Sequence, residues 1–150
     1  MRSICILDGD RSAQHNLNNY TIVLPGKKSP EEMVFNYAKE LYDNDDSFCV
    51  NKTICDLGYV KINFRDRILP DIIGINSKIE QLKLEDKSIK GVRREENKRV
   101  FNIHRRFFEL IMKKWIEDHA IEVNQFYKNL YILFCKVSEF HDINSKEWEW

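Results

Sequence analysis

Apolar and polar residues alternate between two periodicities along this chain, and the change divides it. Near the start, Ile4-Cys5-Ile6-Leu7 is a short apolar run of the length expected for a buried strand, closed by Asp8-Gly9-Asp10. A polar stretch from Arg11 to Asn19 follows; its asparagines Asn16, Asn18 and Asn19 favour turns over regular structure. Thr21-Ile22-Val23-Leu24 predicts a second short strand, ended by Pro25-Gly26.

From there the spacing becomes helical. Ser29-Pro30-Glu31-Glu32 is a helix start, with Ser29 as N-cap, Pro30 at the first helical position and Glu32 placed to complete a capping box. Met33, Val34, Tyr37, Ala38 and Leu41 mark one face of a helix to about Tyr42. Phe48 to Leu57 has helical character, broken by Gly58. Ile79, Leu82 and Leu84 suggest a short helix or extended segment, and Pro70 and Gly74 argue against one long element there. The last third predicts two amphipathic helices. One runs from Glu96 to His119 on a stripe that includes Val100, Phe107, Phe108 and Trp115; the other is carried by Val123, Phe126, Tyr127, Leu130, Tyr131, Phe134 and Val137. These aromatic stripes are most simply core.

The expected fold class is therefore α/β: short parallel-type strands with flanking helices over residues 1–56, followed by a mainly helical region over 57–150. The chain has 150 residues, 24 basic against 24 acidic, and 43% hydrophobic residues, which fits a globular protein and gives no global attraction to polyanions. No apolar run approaches the roughly 18 residues of a membrane span, and no secretory leader is visible, so a cytoplasmic location and no membrane partner are expected. Cys5, Cys49, Cys55 and Cys135 form no paired motif with one another or with the four histidines. Cys5 and Cys135 read as small buried hydrophobes.

Charge is local where it does not accumulate globally. Glu31 to Asp56 holds seven acidic and two basic residues, whereas Lys87 to Lys114 holds ten basic and three acidic. The second cluster includes Arg93, Arg94, Lys98, Arg99, Arg105 and Arg106, candidates for contact with a nucleic-acid backbone; a solvated helix face is the competing account.

The chemistry centres on Asp8 and Asp10. On an extended backbone, residues two apart point to the same side. Two carboxylates that close repel unless a cation lies between them, and Mg²⁺ or Mn²⁺ takes oxygen ligands of this kind. The carboxyl ends of strands in open α/β sheets are where ligands bind. Gly26-Lys27-Lys28-Ser29 is not a phosphate-binding P-loop, because Lys28 and Thr21 occupy the positions where that motif needs Ser/Thr and Gly.

The run ICILDGDRS, a short connector, TIVLPGKKSPEE and an amphipathic helix resemble the C-terminal part of the TOPRIM domains of OLD-family (overcoming lysogenisation defect) ATP-dependent nucleases. The tail ENKRVFNIHRRFFELIMKKWIEDH resembles the helical region that follows TOPRIM in some of them. The resemblance implies a DNA endonuclease module, with a role in antiviral defence or DNA maintenance and a partner ATPase. It implies Mg²⁺ or Mn²⁺ held by Asp8 and Asp10, with Glu31 as a further ligand since Glu32 serves the cap. Lys98, or else Arg94, would meet the phosphate. TOPRIM catalysis also uses a glutamate from an earlier strand, and only Met1, Arg2 and Ser3 precede the first strand here. The expectation is a partial module whose missing strand comes from an ATPase domain or subunit, with homo-oligomerisation left open. Asp8, Asp10 and Ser12 also match the opening DxDx[ST] of haloacid dehalogenase phosphohydrolases, in which Asp8 would be the nucleophile and Asp10 the acid/base. That family's later acidic pair would have to be Asp45-Asp46, after a helix rather than a strand. A non-catalytic interaction module is the third alternative.

Overall fold

The computed structural model describes residues 3–44, 52, 55, 59–89 and 91–141. The described chain is mainly helical, with two short parallel strands near the N-terminus. It forms two compact units: residues 1–30 with 116–150, and residues 31–115.

In the first unit, β1 (Cys5–Leu7) pairs in parallel with β2 (Thr21–Val23) in the register Cys5–Thr21, Ile6–Ile22, Leu7–Val23. The ladder is extended by the Cys5 N–H donating to the Tyr20 carbonyl (2.8 Å) and the Leu24 N–H to the Leu7 carbonyl (2.9 Å). The connection contains two 3₁₀ helices, Gly9–Gln14 and Leu17–Asn19. The asparagines act as their composition foretells. Asn16 caps the second 3₁₀ helix, its Oδ1 accepting from the Asn18 and Asn19 N–H groups at 2.9 and 3.3 Å. The long C-terminal helix of the chain, Ala120–Phe140, packs against β2 and covers the fully buried Ile22.

That cover does not reach β1. Ile6 is 50% exposed and Cys5 is exposed, so the first strand is not the buried core strand its composition suggests, and Cys5 is not a core residue. The long C-terminal helix packs on β2, the strand that carries the buried Ile22.

The second unit is helical. α1 (Pro30–Asn44) begins at the proline, as the start pattern predicts, and buries Val34, Phe35, Tyr37, Ala38 and Leu41. α2 (Lys61–Asn63) runs into a π-helical segment (Phe64–Ile68), in which the Leu69 N–H reaches back five residues to the Phe64 carbonyl, and then into α3 (Leu69–Leu84). Pro70 and Gly74 therefore do not prevent a long helical element. Pro70 stands in the first turn of α3, where its missing N–H costs least, and the wide π turn directly before it absorbs the change of pitch. Ile72, Ile75 and Ile79 supply the buried stripe of α3. The helix expected from Phe48 to Leu57 lies outside the described residues, apart from the helical Lys52 and Cys55.

The single helix expected from Glu96 to His119 is two: α4 (Val92–Ile103) and α5 (Arg105–Asp118), interrupted at His104 (φ −110°, ψ 27°). Aromatic packing organises this core. Phe108 is fully buried, with ring centroids 4.8 Å from Phe35 and 5.6 Å from Phe101. Phe107 lies 5.5 Å from Phe64 and 5.2 Å from Tyr59. The stripe prediction holds for α5. It is only partly right for the last helix, α6 (Ala120–Phe140), where Val123 is buried but Tyr127 and Tyr131 are more than half and half exposed. No described helix is long and apolar enough to cross a membrane.

Candidate functional site

The backbone leaves β1 at Leu7 and takes one further extended step. Asp8 (φ −60°, ψ 152°) is the N-cap residue of the first 3₁₀ helix, its carbonyl accepting from the Arg11 N–H at 2.9 Å. Its carboxylate makes no capping bond, and Asp10 stands in the helix's first turn. Alternation along an extended strand therefore does not describe the pair, because Asp10 is already inside the 3₁₀ turn. Both aspartates are exposed, and neither carboxylate has a hydrogen-bond or ion-pair partner among the described residues. They stand uncommitted at the carboxyl end of a parallel strand.

Gly9, between them, is buried, and its reason for being glycine is contact rather than an unusual turn. A methyl group on its Cα would come 2.6 Å from the Lys28 carbonyl oxygen and 3.1 Å from that of Leu24. The loop after β2 thus presses on the chain at the point that carries the two carboxylates.

Glu31 lies in the first turn of α1, in the second unit. Among the described residues, no three histidine, cysteine, aspartate or glutamate side chains group closely enough to hold a metal ion. The donor chemistry of the aspartate pair suits a hard divalent cation, which would need its remaining ligands from water or another segment. Asp45 and Asp46, the acidic pair a phosphohydrolase reading requires, lie outside the described residues.

The basic residues separate by what they already bind. Arg93 Nη1 donates to Asn76 Oδ1 (2.9 Å), Arg99 Nε to Glu96 Oε2 (2.9 Å) and Arg105 Nη2 to Asn102 Oδ1 (2.7 Å). Arg94, Lys98 and Arg106 are exposed and have no such partner among the described residues. Arg94 and Lys98 are four residues apart on α4 and share a face. Of the six candidates for nucleic-acid contact, these three have side chains left for an external phosphate.

One constellation has no counterpart in the sequence reading. In the first unit a cleft of about 310 Å³ runs from the first 3₁₀ helix past the end of β2 to α6, lined by Ser12, His15, Leu24, Lys27, Glu122 and Phe126 among others. Glu122 Oε1 accepts the Gly26 N–H at 2.8 Å, a bond between residues 96 positions apart. Only the Pro-Gly turn after a strand pointed to this place; nothing local to Glu122 did.

No protein-family model, no curated protein and no solved structure matches this chain.

Proposed function

We propose that this chain is a partial module of a metal-dependent DNA endonuclease of the OLD-like TOPRIM type, working in the cytoplasm with an ATPase-bearing partner, in antiviral defence or DNA maintenance. The observation that carries the reading is the uncommitted state of Asp8 and Asp10 at the carboxyl tip of a parallel strand. Carboxylates kept exposed and free of internal ion pairs retain their oxygens for an external cation. Mg²⁺ or Mn²⁺ bound there would stabilise charge on a scissile phosphate. Arg94, Lys98 and Arg106 supply positive charge for DNA, and Glu31 is a candidate further ligand of the metal.

A plasmid-nicking assay with Mn²⁺, on the chain alone and supplemented with a candidate upstream segment, tests this. Nicking is expected with the supplemented protein, and Asp8→Asn with Asp10→Asn should abolish it. Cleavage that survives the double substitution overturns the site.

A second reading is favoured by Gly9. Its contact with Lys28 explains the glycine between the aspartates as packing, without any metal. A non-catalytic protein-interaction module, binding a partner through its aromatic helices, would then keep that association in the double variant and show no nicking under any supplement.

A further inference from the structure

We infer that the cleft between β2 and α6 is a binding site for a small phosphomonoester, and that Glu122 holds its anion position until the ligand arrives. The cleft opens beside the carboxyl ends of two parallel strands, the side on which such sheets bind ligands. Its volume lies at the small end of the roughly 300–1,000 Å³ of ligand pockets, enough for one compact molecule. The turn after β2 carries two consecutive residues in the left-handed region, Gly26 (φ 100°) and Lys27 (φ 54°). A lysine in that region is strained, and strain of this sort persists where the surroundings impose it.

The turn presents the Gly26 N–H to an anionic oxygen, and that oxygen is Glu122 Oε1 at 2.8 Å. A carboxylate oxygen accepting a main-chain N–H beside a cationic side chain makes the same interaction a phosphate oxygen would make. Lys27 is exposed, lines the cleft and has no partner among the described residues. Ser12 and His15 add a hydroxyl and an imidazole from the 3₁₀ side, and Leu24 and Phe126 supply the apolar wall against which a flat group lies. Gly9 lines this cleft but the side chains of Asp8 and Asp10 do not, so the inference does not depend on a metal at the aspartate pair.

The test is a titration of the full chain in EDTA, which removes any contribution from a metal at the aspartate pair. The probes are deoxyadenosine 5′-monophosphate, inorganic phosphate and deoxyadenosine, read by calorimetry and by the Gly26 amide resonance. The monophosphate should bind saturably and shift that amide, inorganic phosphate should compete with it, and deoxyadenosine should not bind. Glu122→Gln keeps an acceptor for the turn but removes the competing charge, so it should tighten binding about tenfold, whereas Lys27→Ala should weaken it about tenfold. Thermal melts confirm that both variants are folded. Absence of saturable binding to both the wild type and Glu122→Gln overturns the site. So does equal affinity across the three proteins, failure of phosphate to compete, or deoxyadenosine binding as well as its monophosphate.

Discussion

Lys78 on α3 and Glu96 on α4 meet through Nζ and Oε1 at 2.5 Å, while Arg99 Nε holds the other oxygen of the same carboxylate at 2.9 Å. The Glu96 side chain is only 11% exposed, so its charge sits largely inside the second unit and is sustained by these two cations. Hydrogen bonds from Lys78 and then Arg99 hold the Glu96 carboxyl below the usual glutamate range, against the opposing effect of burial. Because the folded-state value is lowered, the stabilisation is complete above the ordinary glutamate value and fades as pH falls from there through the folded-state value. Glu96→Gln should cost about 1–2 kcal/mol at neutral pH, and its melting curve should converge with the wild type's in acid. Urea unfolding at a series of pH values measures both.

Gly9→Ala should destabilise the first unit. The new methyl meets backbone atoms of Lys28 and Leu24, which cannot yield as a side-chain tip can. A cost of about 1–3 kcal/mol is expected from such overpacking. Chemical denaturation gives the number, and faster amide exchange at Leu7 and Leu24 would locate the damage at the strand tip.

Gly74 makes the opposite case. It lies in α3, and a methyl added to it meets nothing within 4 Å. Gly74→Ala should therefore stabilise the protein by about 0.5–1 kcal/mol, through helix propensity and a less flexible unfolded chain. A raised melting temperature with an unchanged urea m-value is the expected result.

The sorting of basic residues gives a prediction about DNA. Replacing Arg94, Lys98 and Arg106 together by alanine should weaken binding to any duplex and lower the slope of log affinity against log salt by about 3, close to one unit per lost phosphate contact. Fluorescence anisotropy across a salt series measures the slope. Replacing Arg93, Arg99 and Arg105 should act more on stability, since each already donates to a neighbouring side chain.

The sequence disclosed those parts of the fold that are set by neighbours in the chain. The Pro30 start of α1, the asparagine-capped turn at Asn16 and both strands follow from local chemistry and were legible. The break at His104 was not, because the apolar stripe of α4 and α5 runs through it without a change of spacing. Pro70 misled for a related reason: its effect depends on whether it falls in a first turn, and the π segment that puts it there leaves no mark in composition. At the candidate site the aspartates were visible as residues, but their setting was not. The close approach of Lys28 to Gly9 and the bond from Gly26 to Glu122 join segments that sequence spacing does not connect.

The half-exposed Ile6 has a practical consequence. Cys5 and Leu7 spend their backbone groups on β2, which turns those of Ile6 toward the opposite rim, and no proline or lysine in β1 blunts that rim. Concentrated preparations should consequently cloud or gel with storage, and a single lysine at position 6 is the simplest remedy to try before crystallisation.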